Sequence, residues 1–260
     1  MTTSSLSCET TADLTKVPAI TLGFWIIKIL ATTFGETAGD TVSMSLNLGY
    51  LIGTAIFAAL LIALVIAQIR APRFHPTLYW ATIVASTTAG TTMADFATRS
   101  LGIGYLGGSL LLLALVLGVI AAWHFTTGTV SVLSVRTVKV EAFYWLTITL
   151  SQTLGTALGD WVADGGPGYL GAALIFGGAL AFVAALWFFT ATNKVALFWA
   201  AFILTRPLGA VVGDFLDKPV AHGVLELGRA AASAVLGAGI VLLIFFLPQR
   251  AASRTGERVH

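Results

Sequence analysis

The sequence predicts an all-α membrane protein whose eight transmembrane helices form four parallel two-helix repeats around an axis normal to the membrane. Three observations predict it. Of 260 residues, 57% are hydrophobic and only 10% are charged, where a soluble domain carries about 25% charged residues to clothe its surface. The mean hydropathy is +0.91, and apolar stretches of about 20 residues, long enough to cross a bilayer, recur along the chain. One pattern of Trp, Gly and Asp occurs four times.

Hydropathy places spans near 19–38, 48–69, 78–97, 103–124, 141–161, 168–191, 195–214 and 229–247, within one membrane domain over 19–248. Residues 1–18 are a Ser/Thr-rich tail without the basic segment of a secretory signal, so no cleavage is expected, and 249–260 are a basic tail. The single cysteine, Cys8, cannot form an intramolecular disulfide. An even number of spans puts both termini on one side, with nine bases: Lys16, Arg70, Arg73, Arg136, Lys139, Lys194, Arg250, Arg254 and Arg258. The other side holds three: Arg99, Lys218 and Arg229. Lys and Arg accumulate on the cytoplasmic side, so both termini are expected in the cytoplasm, at a bacterial inner membrane. The net charge of +2 gives no basis for nucleic-acid binding. The lipid bilayer is the expected partner, and a homo-oligomer is compatible with the sequence.

The repeats are read from Phe24-Trp25, Tyr79-Trp80, Tyr144-Trp145 and Phe198-Trp199. Ten residues after each tryptophan stands a glycine, Gly35, Gly90, Gly155 and Gly209, and fifteen after it an aspartate, Asp40, Asp95, Asp160 and Asp214. A later glycine opens Gly49-Tyr50-Leu51, Gly104-Tyr105-Leu106, Gly168-Tyr169-Leu170 and Gly223-Val224-Leu225. The units cover about 24–70, 79–125, 144–194 and 198–248. Each contains two spans, so successive units enter the membrane in the same direction. The odd helices carry Thr, Gly and charge while the even ones are almost purely aliphatic, so the odd helices are expected at the centre.

On these tryptophans, glycines and aspartates the chain resembles a bacterial membrane-protein family of tandem repeats of unknown function, each repeat having two transmembrane segments and a characteristic tryptophan. The resemblance covers all four units, implies the architecture, and brings no activity with it. The fourth unit departs most, with Arg206-Pro207 where the others have Thr32-Thr33, Thr87-Thr88 and Gln152-Thr153, so strict fourfold equivalence is not expected.

At 100° per residue, a stripe on each odd helix joins Thr33, Glu36 and Asp40; Thr88, Thr91 or Thr92, and Asp95; Thr153, Thr156 and Asp160; and Pro207, Ala210 and Asp214. Converging stripes would line an ion path of hydroxyls and carboxylates. The plainer alternatives are that the Gly and Thr pack helices, with each threonine bonding its own backbone, and that the aspartates cap the turn into the even helix. Neither explains Lys28, Glu36 and Arg206, charges within spans that each cost about 2.5–3.5 kcal/mol unless paired or wetted. Arg206 and Glu36 differ in depth by four residues, or about 6 Å, so they are expected to pair across the bundle. That pair is either a structural lock or, with Lys28, a tethered cation that gates the site by competing with substrate.

Glu36, Asp40, Asp95, Asp160 and Asp214 are hard oxygen donors suited to Mg²⁺, Ca²⁺ or Mn²⁺, and Met93 beside Asp95 leans weakly towards Mn²⁺. No hydrolase, nucleotide or redox motif is present, and Gly102-x-Gly104-x-x-Gly107 lacks the βαβ setting of a dinucleotide loop. The protein is therefore not expected to be an enzyme or to need a cofactor. The expectation is a secondary transporter of a small cation, a divalent metal such as manganese carried as substrate, with Glu36 as the candidate for proton coupling. The alternatives are a cation channel with an acidic outer ring, and a membrane scaffold or sensor.

Overall fold

The computed structural model describes residues 14–218 and 227–253. Eight long helices account for most of them: α1 Leu22–Asp40, α2 Gly49–Arg70, α3 Pro76–Asp95, α4 Tyr105–Thr127, α5 Val138–Asp164, α6 Gly168–Phe189, α7 Lys194–Asp217 and α8 Arg229–Phe246. Five of them, α2, α4, α6, α7 and α8, are long and apolar enough to cross a membrane. Helix starts follow local chemistry. Thr21 accepts a hydrogen bond from the Phe24 amide, Thr137 from that of Val140, and Asn193 from those of Val195 and Ala196. Pro76 occupies the first turn of α3, where its missing N–H costs nothing.

The odd helices form a closed ring in which α1 packs on α3 and α7, and α5 on the same two. Close approach depends on the repeated glycine. A Cβ at Gly35 would stand 1.6 Å from Thr87, one at Gly90 2.9 Å from Gln152, one at Gly155 2.2 Å from Arg206, and one at Gly209 2.2 Å from Thr32. In repeat coordinates this is a single contact made four times, the glycine ten after the tryptophan against the residue seven after the next tryptophan. The last repeat meets the first, which closes the ring.

Each even helix leans on the odd helix of the following repeat: α2 on α3, α4 on α5, α6 on α7 and α8 on α1. The repeats are thereby interlocked, and outer surfaces carrying Leu51, Leu110, Leu174 and Val235 face away from the ring. Parts of the two tails pair with each other. Strand β1, Leu14–Pro18, pairs antiparallel with β2, Ala251–Ser253. The Lys16 ammonium fastens this ribbon to the bundle, 2.7 Å from Glu141 and 3.0 Å from the Ile69 carbonyl.

Inside the ring the side chains stack in five layers, none of whose residues is more than 3% exposed. At one end lie Phe24, Tyr79, Tyr144 and Phe198, the two tyrosine hydroxyls 2.6 Å apart. Next come Lys28, Ile83, Ile148 and Phe202, then Thr32, Thr87, Gln152 and Arg206, then Glu36, Thr91, Thr156 and Ala210, and finally the four repeat aspartates. The apolar surface faces out and the polar groups face in, the distribution that a hydrocarbon solvent favours.

Candidate cation site

The centre of the site is the fourth layer. Glu36 Oε2 on α1 accepts from Arg206 on α7 at 2.9 Å, from Thr91 on α3 at 3.2 Å and from Thr156 on α5 at 3.4 Å. Arg206 also donates to Thr91 at 2.6 Å and to the Thr156 hydroxyl. Helices α1 and α5 are not neighbours in the ring, nor are α3 and α7, so contacts between them pass through its middle. Four helices thus converge on one carboxylate. Hydrogen bonds to the remaining valences offset the cost of burying an ion pair; Thr91 and Thr156 add such bonds at Glu36 Oε2, while Arg206 Nε and Nη1 have no hydrogen-bond partner among the described residues.

One turn outward, a Glu36 oxygen, an Asp40 oxygen and an Asp214 oxygen lie within 4.8 Å of one another. Oxygens facing each other across a divalent ion stand about 4–5 Å apart, so three carboxylates are already at coordinating separation. Asp40 Oδ1 and Asp214 Oδ1 are buried without a hydrogen-bond partner among the described residues. These acids come from α1 and α7 alone, the first and last repeats.

The other two repeat aspartates are held differently. Arg99 lies 3.0 Å from Asp95 and 2.9 Å from Asp160, bridging α3 to α5. Lys218 lies 2.7 Å from Asp214, and the Arg229 Nε lies 3.8 Å from Asp40. Burial alone would lower the Arg99 guanidinium and the Lys218 ammonium, but neighbouring carboxylates outweigh it: Asp95 and Asp160 raise the first, Asp214 and Asp160 the second. Both cations sit just past the ends of their helices and stay charged. Asp95 and Asp214 stand four residues before their cations, a helical spacing visible in the sequence that could have disclosed both pairs.

Several expected roles change. Thr33, Thr88 and Thr153 bond the carbonyls of Ile29, Val84 and Thr149 on their own helices, and it is Thr91 and Thr156, three residues on, that reach the carboxylate. Lys28 lies two layers from Glu36, donating to Thr205 at 3.4 Å with its ammonium 4.2 Å from the Phe202 ring. It is not a competitor at Glu36 here. The aspartates do not cap the even helices either: α2, α4 and α6 are preceded by Leu48, Gly104 and Pro167. α5 runs four residues past Asp160, and α7 three past Asp214. Of the repeat tryptophans, Trp80 donates to Gln249 and Trp199 to the Val130 carbonyl.

An α-helical bundle with apolar outer surfaces, membrane-length helices and a buried ionic axis is a membrane protein built by tandem repetition. The repeat is one already defined. The profile of the family described as Repeat of Unknown Function (DUF347) matches residues 23–74, 78–129, 143–193 and 197–251, and the chain belongs to that family. No curated protein and no solved structure is significantly similar to it.

Proposed function

We propose that the protein is a secondary transporter of a small divalent cation, with Glu36, Asp40 and Asp214 binding the substrate and Arg206 as the tethered cation that occupies Glu36 between turnovers. The observation that carries this reading is the approach of three buried carboxylates to within 4.8 Å beside a single arginine. Hard oxygen donors suit Mn²⁺, Mg²⁺ or Ca²⁺, and no cysteine lies within the described residues to favour a softer metal. A divalent ion entering between the acids displaces Arg206 electrostatically, and Glu36 is the group on which a counter-transported proton would reside.

The reading places eight spans in the bilayer as four parallel repeats about an axis along its normal, because each step of four residues along α1, from Gly35 to Gly39, is matched by four along α3, from Thr87 to Thr91. Both termini then lie in the cytoplasm of a bacterial inner-membrane protein and the aspartate layer faces outward. The three bases counted on that side, Arg99, Lys218 and Arg229, are those paired with aspartates. This neutralisation weighs against a channel with a bare acidic ring.

The test is flux into proteoliposomes of Mn²⁺, Mg²⁺, Ca²⁺ and Zn²⁺ in turn, read with an internal pH dye, for the wild type and Glu36→Gln. Metal entry with opposite proton movement, lost in the variant, is expected. Absence of flux for every metal with a folded protein would overturn the proposal in favour of a scaffold or sensor.

A further inference from the structure

The repeats are clasped at the aspartate end by a second recurring contact. The tyrosine of each Gly-Tyr-Leu meets the residue four past the aspartate of the next repeat: the Tyr50 hydroxyl accepts from Arg99 at 3.2 Å, Tyr105 pairs with Asp164, and Tyr169 accepts from Lys218 at 2.8 Å. In the fourth quadrant, where the last repeat meets the first, the sequence has Val224 in place of the tyrosine and Met44 in place of the polar receiver. This is the α7–α1 junction, where Glu36, Asp40 and Asp214 gather.

Arg229, at the start of α8, stands there instead. Its Nε is 3.8 Å from Asp40 Oδ2 and 3.9 Å from Asp217 Oδ2, too far for a hydrogen bond to either. The arginine side chain is 25% exposed, whereas that of Asp217 is fully buried. Both Asp217 oxygens and Asp40 Oδ1 have no hydrogen-bond partner among the described residues. Arg99 and Lys218 make short ion pairs and a tyrosine bond each; Arg229 is a loosely held cation between two unsatisfied acids. At the first turn of α8 its charge also opposes the helix dipole, so it gains little there besides those acids.

We propose that Asp40 and Asp217 form an outer divalent-cation site, plugged by the Arg229 guanidinium and opening on the side where Arg229 is exposed. Through the shared Asp40 it leads to the inner Glu36–Asp40–Asp214 site; that onward passage rests on the transport reading, whereas binding at the outer site does not.

The test is equilibrium Mn²⁺ binding to the full chain in detergent, read as free Mn²⁺ by electron paramagnetic resonance, with thermal melting as the check on folding. Arg229→Ala is expected to bind Mn²⁺ about fivefold more tightly than wild type, the factor a loosely held, partly exposed ion pair is worth, while Arg229→Lys stays near wild type. With Glu36→Gln disabling the inner site, Arg229→Ala still binds one Mn²⁺, and adding Asp217→Asn removes it; Asp217→Glu retains it. Binding unchanged by Arg229→Ala, or unaffected by Asp217→Asn in that background, would overturn the proposal. Loss of flux with this binding intact would count against the transport reading alone.

Discussion

The Arg206 guanidinium meets the Glu36 carboxylate at 2.9 Å in the middle of the helix ring, between the hydroxyls of Thr91 and Thr156. Every other feature of the site is arranged about this pair. The glycine ten after the third tryptophan admits the arginine, and the acids that would compete for it lie one turn outward.

Breaking the pair on one side leaves an uncompensated buried charge, which costs about 3–5 kcal/mol. Arg206→Met should therefore lower the melting temperature in detergent more than the double variant Arg206→Met/Glu36→Gln does. A double variant less stable than either single one would mean that the two groups do not compensate each other.

Glycines of the odd ring helices and of the outer even helices should separate into two classes. A Cβ at Gly155 would stand 2.2 Å from Arg206 Cγ, and one at Gly209 2.6 Å from Thr32 Cβ. Alanine at either position should destabilise by about 1–3 kcal/mol through overpacking. Gly118 and Gly177 have nothing within 4 Å of such a Cβ, so alanine there should be neutral or stabilise by up to about 1 kcal/mol through helix propensity. Melting of the four variants checks the ranking.

The threonines divide similarly. Thr91→Val removes a hydroxyl that bonds both Glu36 and Arg206 and should cost about 1–3 kcal/mol as well as metal flux, because it strands buried polar partners. Thr88→Val removes a bond only to the Val84 carbonyl of its own helix and should leave flux near wild type. Equal flux loss in both would place the ion path along the wrong face of α3.

Lys218 gives a pH dependence of definite sign. Its ammonium is disfavoured by burial but raised above the ordinary 10.5, most strongly by Asp214 and then by Asp160. A raised cation contributes stability in full below its unfolded value and loses it as pH climbs through the higher folded one. The destabilisation caused by Lys218→Met should be constant from neutral pH to 10.5 and shrink above that. Melting curves across the alkaline range decide it.

The sequence made the repeats legible because Trp, Gly and Asp recur at fixed spacing, and it made the Glu36–Arg206 meeting legible because repeat position measures depth. It did not disclose that an even helix leans on the next repeat rather than its own, since aliphatic helices such as α4 carry no mark of their neighbour. Of the stripe read on each odd helix, Thr33, Thr88 and Thr153 bond their own backbone, the plainer alternative weighed for them, whereas Thr91 and Thr156, eleven after the tryptophan, reach Glu36. Arg99, Lys218 and Arg229 entered the sequence reading only as a charge count. The four-residue spacing of Asp95–Arg99 and Asp214–Lys218 could have disclosed two of their pairs; that Arg99 also reaches Asp160 and Arg229 approaches Asp40 follows from the packing of α3 on α5 and of α8 on α1.

The central claim is that one quadrant of the ring, the Glu36–Asp40–Asp214 junction, carries the cation, while the Asp95–Asp160 pair bridged by Arg99 is structural. Mn²⁺ flux into proteoliposomes, compared between Glu36→Gln and Asp95→Asn at matched folded protein, tests it most directly. The account predicts flux abolished in Glu36→Gln and largely retained in Asp95→Asn. Flux equally lost in both, or undiminished in Glu36→Gln, would contradict it.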